Sequence, residues 1–189
     1  NPNSLERPVA NAALSNLAPL IEENQLGLFI AADELDFQRI AKIADEFSLR
    51  FAILGNGYEY RRADILKEIG STIVTPLAFP KAPRADEYGP ALDISLERLQ
   101  HWDFAPSNPA FLADKEIPFC LTSYGLPNPD KTFWERMRKA IQRGLSESDA
   151  LHSITVAPAR LYGAEKRLGT IERGKIANLV VASDNLFQE

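Results

Sequence analysis

The feature that most constrains this chain is the alternation of short, almost wholly apolar runs with longer segments of helical periodicity. The run Leu26 to Ala32 (LGLFIAA) is followed by Leu35, Phe37, Ile40, Ile43, Ala44 and Phe47 at helical spacing. Arg50 to Gly55 (RFAILG) is apolar again, Tyr58 to Ile69 reads as a helix, and Ser71 to Pro76 (STIVTP) is a third apolar run. Runs of this length without polar alternation are strands buried on both faces, which is the signature of a parallel sheet. Strand-helix-strand-helix-strand units build such sheets with crossover helices. The fold class expected is therefore α/β.

The flanking segments extend the pattern. Ser4 to Glu23 carries Leu5, Val9, Ala12, Ala13, Leu17, Leu20 and Ile21 at helical spacing, with Ser4 as N-cap, and Pro8 and Pro19 predict a break or kink. Pro76 to Pro90 holds four prolines and one glycine, a long loop. Short helices follow over Ile94 to His101, begun near Asp93 or Ser95, and over Asn108 to Asp114. Ile117 to Thr122 (IPFCLT) is a fourth strand, and Ser123 to Asp130 is a turn-rich loop. Lys131 to Arg143 is a helix closed by Gly144. Ser146 caps the next helix, with Asp149 at the reciprocal position. That helix runs through Leu151 and Ile154 until Pro158 interrupts it, and a turn ends at Gly163. Gly169 to Ser183 alternates glycine turns with apolar stretches and reads as two or three short strands.

Charge narrows the partners. The net charge of -5 repels phosphate backbones and anionic lipid, so neither nucleic acid nor a membrane surface is expected as a partner. The apolar runs fall far short of the roughly 18 residues that a membrane-crossing helix needs. No signal peptide is read, but a sequence beginning Asn1-Pro2 does not assign a compartment. The single cysteine, Cys120, sits among Ile117, Phe119 and Leu121 and reads as a buried, inert thiol; it can form no intrachain disulfide.

The closing segment carries a resemblance. ALHSITVAPARLYG (150–163) is followed by LGTIERGKIANLVV (168–181). Over about thirty residues this is similar to the end of amidohydrolase-superfamily proteins, most of all the imidazolonepropionase-like branch, with Asn178 where the family usually has aspartate. The resemblance implies a partial (β/α)8 barrel of the TIM type. Leu26 begins its fifth strand, Arg50 its sixth, Ser71 its seventh and Ile117 its eighth. It implies two parts: residues 1–163 as partial barrel, and 164–189 as C-terminal strands of the family's accessory β-sandwich.

The family's activity is metal-assisted hydrolysis of C–N bonds. A zinc or other divalent ion is held by histidines and an aspartate at the C-terminal ends of barrel strands. Here the fifth strand ends Ala31-Ala32-Asp33, the sixth Leu54-Gly55-Asn56, and the eighth Leu121-Thr122-Ser123-Tyr124. The family's histidines and aspartate are missing from these places, so no cofactor and no metal site are expected in this chain. The two histidines, His101 and His152, lie on helices away from ligand spacing and read as packed or surface residues. Polar residues do collect at the strand ends: Asp33, Glu34, Asn56, Tyr58, Glu59, Thr122, Ser123 and Tyr124. They are ordinary loop residues, or line a vestigial or repurposed small-molecule pocket, or act without metal through an acid/base pair such as Asp33 and Glu59. Ser123 has no matched histidine base for a hydrolytic triad, and Gly55-Asn56-Gly57 lacks the lysine of a phosphate loop.

Four parallel strands also leave two open edges. The barrel is completed by a further part of the polypeptide or by a second copy, as a homodimer. Three functions compete: a non-catalytic piece serving structure, assembly or binding; a C–N hydrolase whose site is completed by other residues; and a small-molecule-binding module.

Overall fold

The computed structural model describes residues 11–83 and 94–188. The elements run in chain order α1 (Ala12–Ser15), α2 (Ala18–Glu22), β1 (Gly27–Ile30), α3 (Asp36–Glu46), β2 (Phe51–Leu54), a 3-10 turn (Glu59–Arg62), α4 (Ala63–Ile69) and β3 (Thr72–Pro76). There follow α5 (Leu96–Phe104), a second 3-10 turn (Ala105–Ser107), α6 (Asn108–Asp114), β4 (Phe119–Thr122), α7 (Pro129–Gln142), α8 (Glu147–Ile154) and α9 (Val156–Leu161). The strands form one sheet in the order β1-β2-β3-β4, every neighbouring pair parallel. The α/β expectation and its four strand units are borne out, an arrangement compatible with part of a TIM-type barrel.

The register explains which residues form the core. Phe29 pairs with Ile53 and Ile53 with Ile73, which pairs with Phe119. These side chains share one face and join the main core with Phe37 and Ile40 of α3, Leu66 of α4, Leu112 of α6 and Met137 of α7. The alternate residues, Ala52, Val74 and Cys120, point to the other face, where Ala157 and Leu161 of α9 pack on them. Arg50 fixes that contact by donating to the Leu161 carbonyl at 2.6 Å. Burial pushes the Cys120 thiol up to about 11, so it stays protonated and inert at neutral pH. Further along the same face, at the β1 edge, Leu28 and Ile30 are 47% and 64% exposed.

Helix α3 shows how packing trims a sequence pattern. Of its apolar set only Phe37, Ile40 and Ala44 are buried, at spacings of three and four; Leu35, Ile43 and Phe47 are about half exposed. Ser95 and Ser146 cap α5 and α8, accepting from Arg98 N at 3.2 Å and Asp149 N at 3.0 Å. The break expected in the first segment falls between Ser15 and Ala18, and Pro19 enters at the start of α2, where a missing N–H costs nothing. Ser4, Leu5, Pro8, Val9, Pro90 and Asp93 lie outside the described residues.

Three expectations are corrected. Tyr58–Ile69 is not one helix: a 3-10 turn precedes α4, because Glu59 is drawn inward by its own hydrogen bonds. Pro158 does not interrupt a helix; the break is at Thr155, and Pro158 lies in the first turn of α9, where proline is tolerated. Gly169 to Ser183 contains no strand. Its backbone bonds are turn-like, such as Lys175 N to Glu172 O and Asn178 N to Ile176 O, with one longer bond from Ile176 N to Arg167 O, and these form no ladder. A strand needs a ladder partner, and none lies beside it among the described residues. Ile171, Val180 and Val181 are consequently 87%, 81% and 93% exposed. The tail is nevertheless seated on the body: Gly169 has φ +96°, and a Cβ there would lie 2.9 Å from the Ala159 Cβ.

The core contacts set a measurable contrast. Leu66→Ala or Met137→Ala empties a site with no exposure and is expected to cost about 2–5 kcal/mol in urea unfolding. Ile43→Ala, on the exposed side of α3, is expected to change stability by about 0.5 kcal/mol or less. Equal losses at the two positions would contradict the burial pattern.

Candidate functional site

The C-terminal ends of the parallel strands are where the chain changes from ladder to loop, and every such loop has backbone N–H groups to satisfy. After β1, Asp33 Oδ1 accepts from Leu35 N at 2.8 Å and Asp36 N at 3.1 Å. Asp36 Oδ2 reciprocates, accepting from Ala32 N at 2.9 Å and Asp33 N at 3.3 Å. The pair forms a two-way cap on α3, equivalent in logic to a capping box. Arg39 bonds Asp36 at 2.9 Å; together with the two backbone donors it holds the Asp36 carboxyl below the usual range.

After β2, Asn56 accepts from Tyr58 N at 3.0 Å and donates to the Ala32 carbonyl at 3.1 Å, tying the β2 end to the β1 end. Glu59 turns back under this loop and is fully buried. Its carboxylate accepts from Gly57 N at 3.1 Å and from the Asn108 amide, while Asn108 Oδ1 accepts from Tyr60 N at 2.8 Å. Glycine at 55 makes this possible, since a Cβ there would lie 1.7 Å from Glu59 Oε1. Burial pushes the Glu59 carboxyl up, against the opposing pull of its backbone and Asn108 donors.

Outward from Glu59 the same turn presents Tyr58, Tyr60 and Arg61. The Arg61 guanidinium lies 4.6 Å from the Tyr58 ring centroid and pairs with Glu34 at 3.5 Å and Glu97 at 3.0 Å. His101 of α5 stacks on Tyr58 with centroids 3.6 Å apart and 11° between planes, and its Nδ1 lies 3.4 Å from the Tyr60 hydroxyl. After β4, Thr122 Oγ1 accepts from Tyr124 N at 3.2 Å, and Ser123 and Tyr124 are exposed.

The fold thus brings together Asp33, Glu34, Asn56 and Tyr58 around the β1 and β2 ends. Thr122, Ser123 and Tyr124 stand at β4, with β3 between. Asp33 and Glu59 have separate partners: one caps a helix at the surface, the other is shut beneath the loop. Sequence reasoning missed Arg61, Asn108 and Glu97 and read His101 as a bystander. Their contacts span 27 to 49 residues, as in the pairs Arg61–Glu34 and Asn108–Glu59, and no local spacing encodes such contacts.

A zinc ion does not fit the residues described at these strand ends. Asp33 gives its Oδ1 to two N–H donors and stands apart from Glu59, which is enclosed with Asn108, and amide and hydroxyl oxygens are poor zinc ligands. Among the described residues no group of three or more histidine, cysteine, aspartate or glutamate side chains is placed to hold an ion.

Residues 121–188 match the model of the amidohydrolase family. The chain is similar in structure to an amidohydrolase from Thermotoga maritima MSB8, with a TM-score of 0.76 and 24% identity, over 96% of this chain and 44% of that one. It is also similar to a Xaa-Pro dipeptidase solved with methionine in its active site, with a TM-score of 0.57 and 18% identity, over 88% of this chain and 40% of that one. These similarities show the fold, and this chain spans less than half the length of either protein. Its last third is amidohydrolase-like in sequence as well.

The Glu59–Asn108 pair yields two tests. Glu59→Ala and Asn108→Ala each leave a buried polar partner unsatisfied and are expected to cost about 1–3 kcal/mol, with the double variant costing clearly less than the sum. Additive losses in a double-mutant cycle would show the two side chains to be uncoupled. Since the folded pKa of Glu59 lies above its ordinary value of 4.5, the native state binds the extra proton. The stability it contributes is present below 4.5 and is lost as pH rises through the folded value. The urea midpoint followed against pH should show this fall, and Glu59→Gln should flatten it.

Proposed function

We propose that this chain is the C-terminal half of an amidohydrolase-like barrel, related to the imidazolonepropionase-like branch, and that it serves structure, assembly or binding rather than metal-assisted hydrolysis on its own. The observation that carries the reading is the use of the strand-end side chains. Where the family would place imidazoles and an aspartate, this chain has Asp33, Asn56 and Thr122, and each gives a side-chain oxygen to loop N–H groups, Asp33 through Oδ1. A lone pair engaged in capping is not free to bind a cation, so the loops are built to be stable without one. The division into a partial barrel (1–163) and accessory-sandwich segments (164–189) belongs to the same reading, supported by the irregular, apolar tail.

A half barrel needs a complement. Among the described residues β1 and β4 each have one unpaired edge, and Leu28 and Ile30 expose the inner face at the β1 edge. A further set of strands, from additional polypeptide or from a second copy, would cover both features.

Metal analysis tests the first part. Protein purified without a histidine tag and incubated with zinc is expected to retain well under one ion per chain and to show no turnover of amide or cyclic amide substrates; near-stoichiometric metal would sink the reading. Sedimentation tests the second. Self-association at low micromolar concentration that is lost on Ile30→Lys would identify a second copy as the complement, whereas a clean monomer would rule the homodimer out and leave additional polypeptide in that role.

A further inference from the structure

No residue of helix α5 is fully buried, and His101 is its partly buried member, so the main core does not hold the helix in place. Its attachments among the described residues are specific. Glu97 pairs with Arg61, Asp103 pairs with Arg143 at 2.5 Å, and Phe104 packs 5.7 Å from the Tyr60 ring. At the centre is His101, stacked on Tyr58, lying nearly parallel to Tyr60 at 6.2 Å, and close above Gly57. The imidazole is the one member of this aromatic stack whose charge changes near neutral pH.

We propose that His101 is an acid-sensitive latch: protonation of its imidazole loosens α5 from the turn after β2.

The charges around it set the direction. From the turn, Arg61 presents a permanent cation that shares the Tyr58 ring, and Tyr58 and Tyr60 present neutral phenols. From its own helix His101 faces Glu97, which is already paired with Arg61, as is Glu34 from the loop after β1. A second cation on Tyr58 would gain some attraction from the ring, but it would be desolvated and would stand beside Arg61 with both nearby carboxylates engaged. Burial, then Arg61, accordingly holds the His101 imidazole below its ordinary value, with Glu97 opposing. Its neutral form is the one the folded contact prefers. The stabilisation is therefore present at neutral pH and fades as pH falls through 6.5 toward the folded value. The hydrogen bond to Tyr60 survives either way, since the phenol can donate or accept.

The experiment is hydrogen exchange of the α5 amides in the 189-residue chain at about pH 7.5 and about pH 5, corrected for the pH dependence of intrinsic exchange. Opening of α5 is expected to rise at the lower pH, by at most about tenfold for each unit that the folded pKa lies below the free one, with the amides of α7 unchanged. His101→Phe keeps the stack and loses the proton, so its α5 exchange should be independent of pH. His101→Ala should exchange rapidly at both pH values. A wild-type α5 whose corrected exchange does not change, or a His101→Phe variant that opens in acid as the wild type does, would overturn the proposal.

Discussion

A parallel sheet tolerates water on neither face, and that constraint orders the rest of this molecule. One face is fully covered: Phe29, Ile53, Ile73 and Phe119 meet α3, α4, α6 and α7 in a single core. The other is covered only in part, by Ala157 and Leu161 of α9 over Ala52, Val74 and Cys120. The two exposed residues of β1, Leu28 and Ile30, mark where that cover ends. The incomplete face and the open strand edges are one feature seen twice. Both belong to a parallel sheet that has four strands among the described residues.

The strand-end loops obey a second rule, that buried or turning backbone must find partners. Gly55 and Glu59 illustrate how tightly sequence choices interlock there. Without a side chain at 55, the Glu59 carboxylate can fold beneath the loop; once there, it recruits Asn108 from α6, and Asn108 in turn accepts from Tyr60 N. The turn that results orients Tyr58 and Arg61 outward, where they meet Glu34, Glu97 and His101. A buried carboxylate thus acts as the foundation of a surface cluster rather than as a reactive group.

Most of the fold was legible because strand runs and helix periodicity are local signals. The four strands fall inside the four apolar runs, and Ser95 and Ser146 cap the helices that their types suggest. The tail misled because Ile171, Leu179 and Val180 have strand propensity, whereas a strand is made by its neighbour. Composition describes what a segment can join, not whether a partner is present. At the site, the residue types at the strand ends were legible and their roles were not. Asp33 and Asn56 look alike as loop polar residues whether they cap or bind, and only the direction of their hydrogen bonds separates the two. Arg61, Asn108 and His101 were invisible because their contacts join elements far apart in the chain.

The distinction between capping and binding bears on what the family resemblance means. In a metal centre the ligand side chains are held with lone pairs converging on one point, and the strain of gathering like charges is relieved by the ion. Here the acceptors diverge. Asp33 and Asp36 face each other's loop, Asn56 bridges two strand ends, and Thr122 serves its own turn. Each loop closes its own hydrogen bonds, so no cation is needed to hold the strand ends in place. The fold rests on the helix-covered face and on these capped loops, and both are built from the chain's own hydrogen bonds and apolar contacts.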